Sequence, residues 1–186
     1  MLDSIRIRPA QPRDADRAAA LLYSAYTHTH VTYPLQTPLE SGFIDRLQRY
    51  FRQDDNRFSS HYIHLAEQDT EVVGLVLDFG GRDEPRLNQA IGPWLEREAE
   101  DDSWYVDALA VFGQWEHQGI GTHLLHTAEQ RAREHHYPKI TLHAAQENTE
   151  AIAFYSHLQY HITKQTLFYQ RPHVRMEKTI VQARVP

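Results

Sequence analysis

The chain opens on an alternation. Ser4-Ile5-Arg6-Ile7-Arg8 places an apolar side chain at every second position, the pattern of a half-buried strand. Pro9 and Pro12 end it, and Pro12 followed by Asp14 and Asp16 suits a helix N-terminus. Ala15, Ala18, Ala19, Leu22 and Tyr26 recur at helical spacing and predict a helix over 13–26. Residues 27–38, with Pro34 and Pro38, carry no period and read as a long loop, a common place for function. Leu39, Phe43, Ile44, Leu47 and Phe51 predict a second helix ending near Asp54-Asp55-Asn56. Apolar runs at 61–67 and 71–79, joined by Asp69-Thr70, predict a hairpin that Gly80-Gly81 terminates.

Residues 82–102 read as a polar insertion with Pro85, Pro93 and an acidic cluster of Glu96, Glu98, Glu100, Asp101 and Asp102. The next strand covers 104–111, with Tyr105, Asp107 and Leu109 alternating onto one face. It runs through 112–118 into Gly119-Ile120-Gly121 and a helix. That helix carries Ile120, Leu124, Ala128 and Ala132 on one face and His123, His126 and Glu129 on the opposite one; Tyr137-Pro138 stops it. A short strand at 139–144 precedes Asn148, which suits the cap of a helix bearing Ala151, Phe154, Tyr155 and Leu158. Residues 160–169 and 173–180 are the last strands, paired across Gln170-Arg171-Pro172. The order β-α-α-β-β-β-α-β-α-β-β belongs to the mixed α/β (α+β) class, with a mostly antiparallel sheet. The step from the 104 strand through a helix to the 139 strand is its one parallel crossover.

Composition narrows the chemistry. At 186 residues, against about 150 per domain, a single domain spanning 1–186 is expected, with the insertion at about 82–102. The net charge of −6 argues against a nucleic-acid-binding module, which carries a basic face. Residues 1–16 are charged and lack the apolar core of a signal peptide. The longest apolar stretch, 72–77, falls far short of the ~20 residues of a membrane span. A cytoplasmic protein without membrane partners is therefore the expectation. The absence of Cys removes disulfides, Cys–zinc sites and thiolate nucleophiles, whereas 13 His invite a metal or acid–base reading.

Gln118-Gly119-Ile120-Gly121-Thr122 lies between a strand and a helix. The first amides of a helix have no internal partner and sit at the positive end of its dipole, so glycines there let a phosphate approach the backbone. A dinucleotide fingerprint needs a third glycine where Leu124 stands, and a P-loop needs a Lys that is missing. A plain strand-to-helix turn explains the glycines equally well.

The surroundings are more specific. Asp107-Ala-Leu-Ala-Val111, Glu116-His-Gln-Gly-Ile-Gly-Thr-His-Leu-Leu125 and Asn148-Thr-Glu-Ala-Ile-Ala-Phe-Tyr-Ser-His-Leu-Gln-Tyr160 follow one another in an order and spacing that resembles the GNAT superfamily of acetyl-CoA-dependent N-acetyltransferases. Ile5-Arg-Ile-Arg-Pro-Ala-Gln-Pro-Arg-Asp14 looks like that family's opening strand and helix, and Val72-Val73-Gly74 like its third strand. Two departures stand out. Glu116 occupies a place that is usually Arg or Gln, and Leu158-Gln159-Tyr160 replaces Leu-Gly-Phe.

The resemblance implies a mostly antiparallel central sheet with helices on both faces and transfer of acetyl from acetyl-CoA to a primary amine. In its terms Leu109, Ala110 and Val111 contact pantetheine where the fourth strand splays from the fifth. Glu116, His117, Gln118, Gly119, Ile120, Gly121 and Thr122 hold the pyrophosphate, chiefly through amides. Asn148 contacts the cofactor arm, and Tyr155 protonates the departing thiolate. Such a transfer needs a base for the amine and a donor for the developing oxyanion. Asp107 is the candidate base, against a purely structural role; for Tyr155 the alternative to catalysis is a core aromatic at helical spacing with Ala151 and Leu158. Without Cys there is no Cys acyl-enzyme, so direct transfer is expected.

His123, His126 and Glu129 could be drawn as a metal face, but their phase makes a solvated face and no metal is expected. His135 and His136 suit the negative end of a helix. His28 and His30, with Tyr23, Tyr26 and Tyr33, border the expected acceptor cleft or simply pack. The acidic cluster reads as solvated surface, or as a field drawing in a cationic amine. A non-catalytic acyl-CoA sensor on the same fold is the alternative function. Small amines, amino acids and protein amino groups all remain open as acceptors, and a homodimer is the commonest arrangement should the chain assemble.

Overall fold

The computed structural model describes residues 5–28, 42–93, 95–168 and 170–180. Seven strands appear in chain order: β1 Ile5–Pro9, β2 Ile63–Gln68, β3 Glu71–Gly80, β4 Ser103–Val111, β5 Lys139–Ala145, β6 His161–Phe168 and β7 Arg171–Thr179. The helices are α1 Ala15–His28, α2 Phe43–Arg52, α3 Glu84–Gln89, α4 Ile120–Glu134 and α5 Thr149–His157. The strands form one sheet ordered β1-β2-β3-β4-β5-β7-β6. All neighbours are antiparallel except β4 and β5, which α4 connects as the expected crossover.

Two apolar cores explain the layers. On one face Leu22 of α1, Leu47 of α2 and Leu87 of α3 pack with Leu65, Leu77 and Phe79 of the sheet. On the other, Ile120, Leu124, Ala128 and Ala132 of α4 pack with Val76, Val106 and Leu142, and α5 adds Ile152 and Leu158. The helical periods read over α1 and α4 are therefore buried stripes; in α2 Phe43, Leu47 and Phe51 are buried but Ile44 is exposed, and the α5 stripe is half-buried.

Four differences have physical causes. First, Glu129 is buried and not on a solvated face. It follows the buried Leu125 by one turn and accepts hydrogen bonds from Tyr160 (3.2 Å) and Lys178 (2.8 Å). Its partners lie distant in sequence, so helical phase alone misplaces it. Second, β7 begins at Arg171, so Pro172 lies inside the strand opposite Leu167; Gln170, at φ 62°, turns the chain before it. Proline is tolerated at a strand's start.

Third, 82–102 is no loose polar excursion. It forms α3 and buries Leu87, Ile91 and Ala99, while the fully buried Glu84 carboxylate accepts the N–H groups of Glu98 (2.9 Å) and Ala99 (2.8 Å). Gly81 makes room for this return: a Cβ there would stand 2.0 Å from the Glu100 carbonyl oxygen.

Fourth, β4 does not alternate evenly. Ala108 faces Leu77 and Val106 faces Asp78, which leaves Asp107 as an extra residue in a bulge. Tyr105, Ala108 and Ala110 consequently join the α1 side, and Leu109 and Val111 the α4 side, so Leu109 does not share the face of Tyr105. A bulge bends its strand and re-aims side chains.

Candidate active site

The bend has a second consequence. β4 and β5 pair only from Ser103↔Lys139 to Val106↔Leu142. Beyond Val106 they part, and β5 continues against β7 alone. A cavity of about 850 Å³ fills the split, running from the N-terminus of α4 to the edge of α1.

One end is made of backbone. Gly119 caps α4 in the left-handed region, φ 81°, and His117 also has φ 58°. The first intrahelical bond runs from His123 N to Gly119 O (3.1 Å), so the amides of Ile120, Gly121 and Thr122 have no intrahelical acceptor. At the head of a 15-residue helix they form an anion cradle, which fits a pyrophosphate. A Cβ on Gly121 would stand 3.4 Å from the Phe154 ring, so the free space beside it faces a packed aromatic.

Every site residue expected from the sequence except Gln118 lines the cavity: Asp107, Leu109, Ala110, Val111, Glu116, His117, Gly119, Ile120, Gly121, Thr122, Asn148 and Tyr155. The Gln118 side chain turns back to the Gln114 carbonyl (3.2 Å). Asn148 caps α5 as expected, its Oδ1 accepting the Ala151 N–H at 3.0 Å. Such a cap contributes about 1 kcal/mol. Tyr155 packs between Phe154 and Tyr160, at ring distances of 5.1 and 6.0 Å. Desolvation holds its phenol above the ordinary range, so it is protonated at neutral pH and able to donate.

The other end is built from side chains the sequence did not group. Arg57, fully buried just after α2, donates to Asp107 through Nη2 (2.6 Å) and Nε (3.1 Å), and Tyr26 of α1 adds a third donor at 3.1 Å. Both oxygens of Asp107, the expected base, are thus engaged. Beside it stands Glu98, brought in by the Glu84 anchor. Its Oε2 accepts from Tyr105 (2.6 Å) and lies 3.5 Å from Arg57 Nη2. Burial pushes the Glu98 carboxyl up to about 7, with Arg57 opposing and Asp107 adding to the shift. Glu98 is therefore no solvated member of the acidic cluster. Opposite, His143 reaches Tyr105 (3.2 Å) and packs on Phe168 (4.4 Å between rings); desolvation lowers its pKa to about 3, so it is neutral.

Of the expected acceptor-side tyrosines, Tyr26 lines the cavity, whereas Tyr23 packs on Phe43 at 6.1 Å. His30 and Tyr33 lie outside the described residues, as does the side chain of His28. His123 and His126 are exposed, and His135 stacks on Trp104 at 4.9 Å. Among the described residues no group of three or more His, Asp or Glu is arranged to hold a metal ion. Nor is any described helix long and apolar enough to cross a membrane.

A split parallel pair with a helix N-terminus aimed into the split defines a class, and comparison names it. The profile of the acetyltransferase (GNAT) family matches residues 22–160, and the chain belongs to that family. Its fold is similar to an N-acetyltransferase from Staphylococcus aureus Mu50, with TM-score 0.80, 21% identity, and 93% of this chain and 100% of that one covered. A PaiA N-acetyltransferase from Thermoplasma acidophilum, solved in complex with coenzyme A, gives 0.60 at 15% identity, covering 95% and 99%. The ribosomal-protein-S18-alanine N-acetyltransferase from Escherichia coli gives 0.60 at 14%, covering 96% of both chains. No curated protein matches the sequence.

Proposed function

We propose that this chain is an N-acetyltransferase that moves an acetyl group directly from acetyl-CoA to a primary amine. The observation that carries the reading is the continuity of one cavity. It joins the free amides of α4 to the protonated phenol of Tyr155 and to a carboxylate end. The coenzyme A complex of the Thermoplasma neighbour supports the choice of cosubstrate.

Acetyl-CoA supplies an activated acyl group. The residues present supply the rest. Ile120, Gly121 and Thr122 bind the pyrophosphate through N–H groups, which is how a chain of charge −6 takes an anion. The open edge of β4 at Leu109–Val111 lies along the pantetheine arm and offers N–H donors to the carbonyl oxygen as charge builds there. As nitrogen bonds to the carbonyl carbon, the carbon–sulfur bond breaks and its electron pair leaves with sulfur. Tyr155 then donates its proton to the thiolate.

Coenzyme A release measured with acetyl-CoA and a panel of amines tests the reading; the protein adds no thiol of its own. Thiol release together with an acetyl-sized mass gain on one amine is expected. Acetyl-CoA binding without turnover of any amine would leave a binding module instead.

A further inference from the structure

The end of the cavity away from α4 has an uneven charge balance. The guanidinium packed behind it is Arg57, which faces three carboxylates, Glu84, Glu98 and Asp107, the last two on the cavity wall; the half-exposed Arg97 reaches Glu84 from outside and pairs with Asp101. Arg57 is spent, since it also donates to Asn88 (3.1 Å). No Lys or Arg is among the described residues lining the cavity. The groups acting on the neighbouring His143 are Arg175, bonded to Glu100 and Glu177, His173, and Lys164 on β6; of these only His173, whose Nδ1 lies 3.0 Å from the Arg171 carbonyl oxygen, lines the cavity.

The walls suit a particular shape. Tyr26, Tyr105, His143 and Phe168 present aromatic faces, and the imidazole is uncharged. Such walls accept methylene groups and favour a cation near their faces. A carboxylate on the acceptor would enter this end against Glu98 and Asp107 with no Lys or Arg among the described residues of the wall to meet it.

Resting on the acetyltransferase reading, we infer that the acceptor is a cationic alkyl amine carrying no carboxylate beside its reacting nitrogen, and that Glu98 receives its ammonium group and takes the proton. Asp107 cannot do this as well. Arg57 and Tyr26 occupy both its oxygens, and it serves to hold Arg57 in place. Glu98 is bonded strongly only to Tyr105, and faces Arg57, Glu84 and Asp107. The step balances. The ammonium gives one proton to Glu98 and onward to water. The neutral nitrogen then bonds to the carbonyl carbon and loses a second proton, which restores the phenol of Tyr155. Ammonium and thioester become amide, thiol and one released proton. A Glu98 carboxyl pushed up to about 7 is matched to the task.

Three arms test this, beginning with acetyl-CoA affinity by calorimetry. No binding would overturn the acetyltransferase reading and this inference with it. Next, kcat/KM is compared for 1,4-diaminobutane, an Nα-blocked lysine peptide, alanine and glutamate. Preference for the diamine or the peptide lysine by about tenfold or more is expected, and the better of the two identifies a free amine or a protein side chain as the source. Equal or better turnover of alanine or glutamate, or turnover of none while acetyl-CoA binds, would overturn the inference. Last, kcat should rise with pH through about 7, because the base must be ionised. Glu98→Gln should remove that limb and lower kcat by about a hundredfold with acetyl-CoA affinity intact. Tyr105→Phe, which removes a hydrogen bond that favours the ionised carboxylate, should move the limb to higher pH. An unchanged profile in both variants would overturn the role of Glu98.

Discussion

The two ends of the cavity are built by different means. At the α4 end the working groups are backbone amides held by a glycine in the left-handed region, and all of them fall within residues 117–122. At the other end they are side chains from α1, the segment after α2, the return from α3, β4 and β5, bound together by one buried guanidinium. A site made of consecutive amides depends on local conformation, whereas one made of converging side chains depends on the whole fold.

The largest effect should come from breaking the guanidinium's role. Arg57→Met leaves buried carboxylates unpaired, and the expected loss of stability in urea unfolding is about 3–5 kcal/mol. If the two ends are as separate as their construction implies, the folded variant should still bind acetyl-CoA at low temperature. Loss of both together would show that Arg57 organises the whole cavity. A smaller effect should mark the boundary between the ends. Tyr155→Phe removes only the hydroxyl, and kcat should fall by about tenfold, close to 1.4 kcal/mol, with little change in either KM. An unaltered kcat would return Tyr155 to the aromatic packing of α5.

This contrast also explains what could be read from the sequence. Apart from α3, the strand and helix order, with the α4 stripe, the Asn148 cap and the Gly119-Ile120-Gly121 turn, rests on neighbours within a few residues and stands where the pattern places it. Alternation marks Asp107 as a candidate base on the face of Tyr105 and Leu109, but the bulge that isolates it arises from its pairing with β3. The place of Glu98 is less legible still. In sequence it belongs to a run of acids; in the fold, Glu84 holds its backbone 14 residues away and Gly81 lets that segment pass. The one clue was Gly80-Gly81 followed by Asp83-Glu84 ahead of the acidic run, and it acquires meaning only when the return path is known.

We propose that the amides at the head of α4 hold acetyl-CoA, and a calorimetric titration of acetyl-CoA into the native chain and into Gly119→Val tests this. A β-branched residue at φ 81° costs roughly 1–2 kcal/mol and turns the amides out of register. The native chain should bind, and the variant, with an unchanged circular dichroism spectrum, should lose about tenfold or more in affinity. Equal affinity in the two proteins would contradict the assignment of this loop.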